Sequence, residues 1–134
     1  MDTTSTLAEI DSAHFAANLA LKNQDFDRYI GHFSDNLKYK QLNGFTIDKE
    51  TLAKDTRKYF DRIKNYTNDY ERQNFSIDKN LFIEKLNQKA TVIIRVFIFL
   101  SKKWIVEREG IYKWEKFNGH WKIVDVEVIS EKVR

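Results

Sequence analysis

Two acids, Asp125 and Glu127, stand two apart in the alternating stretch FNGHWKIVDVEVI that runs from residue 117 to 129. A strand there would turn both carboxylates to one face. If that face is the interior, a carboxylate would sit among apolar side chains, where it could withdraw a proton from a bound molecule. Two further groups could complete such a set. His14 lies within the helical stripe Leu7, Ile10, His14, Ala17 and Leu21, and Tyr112 falls opposite Asp125 if the Asn118–Gly119 pair makes a two-residue turn. Asp125 is then the expected base, with His14 or Tyr112 as the donor. Burial would raise the carboxyl pKa and a nearby imidazolium would lower it. A purely structural reading competes: His14 as a satisfied core histidine, and Asp125 pairing with Arg108 or accepting from Tyr112. Glu127, nearer the strand end, is expected to meet water.

Other chemistries find little support. The three histidines, His14, His32 and His120, lie on separate elements without ligand spacing, so no metal site is expected. There are no cysteines, no glycine-rich phosphate loop and no serine in a nucleophile-elbow context, so neither a cofactor nor a covalent mechanism is indicated. The 23 basic and 20 acidic side chains are interspersed, with a net charge of +3. A nucleic-acid partner would want a face of one sign, so none is expected. No segment is apolar enough to span a membrane, and the N-terminus has neither a basic start nor a long apolar run, which makes the cytoplasm the default compartment.

The elements that must position these groups read as helices followed by strands. With no proline and four glycines in 134 residues, nothing interrupts a single domain spanning 1–134. The first helix carries the His14 stripe, with Thr3 to Ser5 as cap hydroxyls. A short second helix gathers Phe26, Tyr29, Ile30 and Phe33, and a hairpin with its turn at Asn43–Gly44 follows. Asp48 is placed to cap a third helix through about Lys64, on which Leu52, Thr56, Tyr59, Phe60 and Ile63 form a stripe. From about Tyr70 the pattern is β. ATVIIRVFIFL (90–100) reads as a strand covered on both faces, and the last two strands as a hairpin closed by Asn118–Gly119. Helices first and long antiparallel strands after imply an α+β fold: N-terminal helices packed on a strongly curved, mostly antiparallel sheet.

An uninterrupted register across the last hairpin sets Phe117 opposite His120, Trp114 opposite Ile123 and Tyr112 opposite Asp125. One face then collects Tyr112, Trp114, Trp121, Ile123, Asp125 and Glu127, followed by Arg108 and Trp104. The other collects Ile111, Lys113, Glu115, Lys122, Val124, Val126 and Val128. The aromatic face buries more area and should lie against the helices. A bulge would reverse the assignment beyond it, and Gly110 is one place for it. The valine face, outside, would present Ile111, Val124, Val126 and Val128 as an apolar strip within a charged rim, suited to a homodimer contact.

The helix, break, short acidic helix and first strand in FAANLALKNQDFDRYIGHFSDNLKYKQLNG (15–44), together with the terminal FNGHWKIVDVEVI, resemble the nuclear transport factor two-like superfamily, and the SnoaL-like group within it. The resemblance implies a cone-shaped α+β fold with a pocket at its open end, and frequent dimerisation through the outer sheet face. It also implies cofactor-free acid–base chemistry such as isomerisation, cyclisation, dehydration or hydrolysis. Two of the superfamily's constellations do not carry over. The base and oxyanion-donor positions of ketosteroid isomerases fall on Gln41 and Ala17, and the arginine–aspartate pair of limonene epoxide hydrolases falls on Arg95 and Phe97. The expected occupant is a small apolar organic molecule, with Asp125, His14 and Tyr112 as polar groups and Tyr59, Trp114, Trp121 and Arg108 around it. The competing expectation is a non-catalytic, dimeric interaction domain whose cavity is filled by its own aromatic side chains.

Overall fold

The computed structural model describes residues 3–97 and 100–134. Helix α1 (Thr3–Lys22) and the single-turn α2 (Phe26–Ile30) come first, then strand β1 (Phe33–Lys40), the two-residue β2 (Thr46–Ile47) and helix α3 (Lys49–Phe60). Four long strands complete the chain: β3 (Ile63–Asp78), β4 (Leu81–Phe97), β5 (Leu100–Phe117) and β6 (His120–Val133). They form one six-stranded sheet in the order β2-β1-β6-β5-β4-β3, which does not close on itself. All pairings are antiparallel except β1 with β6, because the long excursion through α3 and β3–β5 returns the chain alongside β1 in the same direction. The α+β architecture expected from the pattern is therefore the observed one.

Local chemistry explains the element ends. Asp48 accepts a hydrogen bond from the Thr51 amide at 2.9 Å and caps α3, and Asp25 does the same for α2 through the Arg28 amide. Gln24 closes α1 in the left-handed region at φ 55°, where a non-glycine residue is strained. Its side-chain amide donates to the Ile63 carbonyl, which ties the end of α1 to the start of β3. The turn between β5 and β6 has positive φ at both Asn118 and Gly119, matching the right-handed twist of the strands it joins.

Three boundary expectations need correction. Thr3 to Ser5 form the first turn of α1 rather than its cap. Helix α3 stops at Phe60, and Ile63 already opens β3, so the stripe loses its last member to the sheet. The 90–100 segment is not one strand covered on both faces. Val92 is buried, but Arg95, Val96 and Leu100 are exposed as the hairpin runs past the helices, and residues 98 and 99 lie outside the described residues.

Helix α1 lays Ile10 and His14 on the sheet, both buried, with Leu7 and Ala17 half-buried beside them. The main core gathers Ile10 and Leu7 with Phe33, Phe82, Leu86, Trp114 and Trp121. A smaller cluster of Phe60, Ile63, Tyr66 and Val92 lies toward α3. Trp114 is fully buried and Trp121 nearly so, which confirms that the tryptophan-bearing face of the last hairpin faces the helices.

Candidate functional site

The last hairpin starts in the expected register, Phe117 opposite His120 and Trp114 opposite Ile123, and then slips by one residue. Lys113 faces Asp125 and Tyr112 faces Val126, so Val124 is the extra residue of a bulge on β6. A second slip, where Glu109 faces Ser130 and Gly110 faces Val128, makes Ile129 another. The first slip overturns the assignment of Asp125. One inserted residue turns every later side chain to the other face. Asp125 therefore lies on the outer face, half-buried, between Lys113 of β5 and Lys38 of β1 in the pairing. Val126 and Val128 point inward and are buried. They cannot belong to an outer apolar strip, where only Ile111 and Val124 remain, both half-buried. Glu127 is exposed and lies 3.7 Å from Lys40.

His14 is in the interior, but its partner is Glu84, not Asp125. Its Nε2 lies 2.7 Å from Glu84 Oε2, an oxygen that also accepts from Trp114 Nε1 at 2.7 Å. The other carboxylate oxygen, Oε1, accepts from Arg72 Nε at 2.9 Å. Arg72 Nη2 donates in turn to Asp11 Oδ1 at 2.8 Å, and the Tyr70 hydroxyl donates to the same oxygen at 2.8 Å. The His14 ring lies against Tyr70, with centroids 4.4 Å apart and planes tilted by 36°, and makes an edge contact with Trp114. Burial alone would raise the Asp11 carboxyl, but hydrogen bonds from Arg72 and Tyr70 outweigh it and hold the group below the ordinary carboxylate range. Burial likewise opposes the Arg72 charge, yet its bonds to Asp11 and Glu84 push its pKa up. The network joins α1, β3, β4 and β5 through a carboxylate that is 1% exposed, with both oxygens occupied. It is a latch between helix and sheet, closed to a ligand.

The cavity lies elsewhere, toward α3 and the Asn43–Gly44 turn. It measures ≈ 780 Å³. Tyr29, Tyr59, Phe60, Tyr66, Val92 and Val128 supply much of its wall, so the cone is not filled by its own aromatics. Among the groups placed here from sequence, Tyr59 and Arg108 do line it. Tyr112 stands behind the wall, donating to Gln88 Oε1 at 2.8 Å. Trp114 belongs to the latch, and Trp121 donates to Glu9 Oε1 of α1 at 3.1 Å. The proposed triad of Asp125, His14 and Tyr112 is thus not assembled: its members occupy three separate environments.

Polar groups do reach the cavity. Arg108 stands opposite Glu131 in the β5–β6 register, and its Nε and Nη2 both reach Glu131 Oε2, at 2.8 and 2.7 Å. Its Nη1 donates to the Tyr39 hydroxyl oxygen at 3.1 Å. Burial disfavours the guanidinium charge, but Tyr39, Tyr112 and Glu131 around it outweigh that and raise its pKa. Burial pushes up the pKa values of Tyr29, Tyr59 and Tyr66, so these phenols are neutral donors near pH 7. Asp55 of α3 also lines the cavity and has no ion-pair partner among the described residues.

Solved structures share this arrangement despite remote sequences. A conserved protein from Planctomyces limnophilus superposes with a TM-score of 0.82 at 10% identity, covering 92% of this chain and 94% of its own. A nuclear transport factor two-like protein from Cytophaga hutchinsonii gives 0.69 at 15% identity, covering 97% and 99%. The chain has the nuclear transport factor two-like fold. The hexachlorocyclohexane dehydrochlorinase LinA-type3 from Novosphingobium barchaimii shares it too, with a TM-score of 0.72 at 9% identity over 98% of this chain and 91% of the enzyme. No protein-family model and no curated protein matches this chain by sequence.

Within the nuclear transport factor two-like cone, the residues the sequence reading missed include Glu84, Arg72, Asp11 and Tyr70 of the latch and Tyr39, Asp55 and Glu131 of the cavity. For Glu84 a signal existed: the alternation Phe82, Glu84, Leu86 sets an acid on one face with two large apolar neighbours. Tyr39 offered none, because the wall it joins is completed by residues some ninety positions away on β6.

Proposed function

We propose that this protein is a SnoaL-like domain that binds a small, largely apolar organic molecule in the cavity at the open end of the cone. The observation that carries this reading is the cavity itself, of a size common for small-molecule sites, with aromatic and aliphatic walls and a few converging polar groups. The reaction suited to it is cofactor-free acid–base chemistry, of the isomerase, cyclase, dehydratase or hydrolase type. Asp55 is the carboxylate placed to act as base, and Tyr39 and Arg108 are the donors. A thermal-shift screen with apolar ketones and phenols is the direct test. A ligand at a hundredfold excess over its Kd should raise the melting temperature by roughly 5–10 °C. Ala90→Trp, which places an indole in the cavity, should abolish that rise while leaving the unliganded protein folded. A screen without a single shift would favour a non-catalytic interaction domain.

We also propose that the protein is a homodimer through the outer sheet face. Ile83 is 39% exposed there, and Ile111 and Val124 are half-buried, with Lys85, Lys113 and Glu109 around them. Sedimentation equilibrium at micromolar concentration should return twice the chain mass. Ile83→Glu together with Ile111→Glu should return the single chain mass, and a monomeric parent protein would refute the assignment.

A further inference from the structure

Tyr39 lines the cavity with its hydroxyl engaged on one side only. Its oxygen accepts from Arg108 Nη1 at 3.1 Å, and its own O–H has no acceptor among the described residues. The position is not accidental. Tyr39 stands opposite Val126 across the parallel β1–β6 pairing, so the same bulge that buries Val126 fixes the ring on the inner face. A hydroxyl whose lone pair is engaged by a guanidinium is polarised, and its proton becomes a stronger donor. No oxygen of the described residues takes up that hydrogen, so it is available to a molecule in the cavity.

Charge decides which kind of oxygen. Arg108 is compensated by Glu131, with two of its nitrogens on one carboxylate oxygen. The Arg108–Glu131 pair therefore brings no net charge to the wall, and the other charged group lining it among the described residues, the exposed Asp55, is a carboxylate. A free carboxylate or phosphate would meet repulsion without a spare cation to offset it. A neutral acceptor would not. The walls around it, Tyr29, Leu52, Tyr59, Phe60 and Val128, call for an apolar or aromatic body. Resting on the cavity being the binding site, we propose that its ligand class is the neutral carbonyl compound, a ketone, aldehyde, ester or amide on an apolar frame, with the carbonyl oxygen accepting from Tyr39 and Arg108 polarising that donor from behind.

The test uses three probes of one shape: 2-acetylnaphthalene, 2-ethylnaphthalene and 2-naphthoate. Dissociation constants are measured by titration calorimetry on the parent chain and on Tyr39→Phe, which removes only the hydroxyl. The expected result is that Tyr39→Phe weakens the ketone about 5–10-fold, the worth of one hydrogen bond, and leaves the hydrocarbon unchanged. The naphthoate should bind more weakly than the ketone throughout. A second readout needs no variant. The carbonyl stretch of bound acetylnaphthalene, labelled with carbon-13 at the carbonyl, should fall below its value in an alkane solvent. Equal affinity of both chains for the ketone, or an unshifted stretch, would overturn the assignment of Tyr39 while the cavity reading stands. Tighter binding of the naphthoate would overturn the neutral class. Failure of all three probes to bind the parent chain would sink the cavity reading and this inference together.

Discussion

Glu84→Gln is expected to destabilise the protein by about 3–5 kcal/mol, the cost of removing one partner from a buried ionic network. The argument is one of acceptor counting. Oε1 receives Arg72 Nε, and Oε2 receives Trp114 Nε1 and faces His14 Nε2, so both oxygens are needed as acceptors. A glutamine offers one oxygen and one NH₂. Whichever way the amide turns, a donor meets a donor, and Arg72 loses one of its two carboxylates inside the fold. Nothing can soften this by admitting water, since Glu84 is 1% exposed. Urea denaturation followed by tryptophan fluorescence would show a lower midpoint with an unchanged slope. Replacing the buried polar core of the latch together, His14→Leu, Arg72→Met and Glu84→Leu, should recover much of the loss, because neither the carboxylate nor the guanidinium is left without its partner inside. The latch is separate from the cavity wall, so Glu84→Gln below its melting point should bind cavity ligands with the parent affinity. A variant that melts within a degree of the parent would show that the network carries no such weight.

The latch also shows where a sequence is readable and where it stops. Periodicity exposed what depends on neighbours in the chain: the His14 face of α1, the cap at Asp48, and the hairpin at Asn118–Gly119. It carried the register correctly through four pairs, down to Trp114 opposite Ile123. Beyond that the reading failed for a specific reason. A bulge is a decision about a single residue, and Val124 carries no glycine or proline to mark it. KIVDVEVI alternates equally well either way, and the parallel partner β1, whose Tyr39 and Lys38 flank Val126 and Asp125, lies more than eighty residues away in sequence. The slip was anticipated in kind and placed near Gly110; the one that mattered came earlier, on the opposite strand. With it went the acid–base triad and half of the outer apolar strip. Tyr59 and Arg108 survived as cavity residues because neither assignment passes through Val124.

The same bulge yields the sharpest contrast between two adjacent positions. Val126→Asp should prevent folding or cost more than about 4 kcal/mol, since it forfeits a fully buried valine and leaves a carboxylate unpaired in the core. Asp125→Val, one residue earlier, should change stability by less than about 1 kcal/mol, because it removes a half-buried acid from the outer face. An unbroken register predicts the reverse ordering, with Asp125 inside and Val126 outside. Circular dichroism melts of the two variants therefore decide the register. The ordering also bears on function: with Asp125 outside, Asp125→Asn should leave ligand affinity in the cone unchanged, whereas Val126 backs the β1 position from which Tyr39 reaches the cavity. A stable, well-folded Val126→Asp chain would mean that β6 is not bulged at Val124, and every group assigned to the cavity through β1 and β6 would have to move.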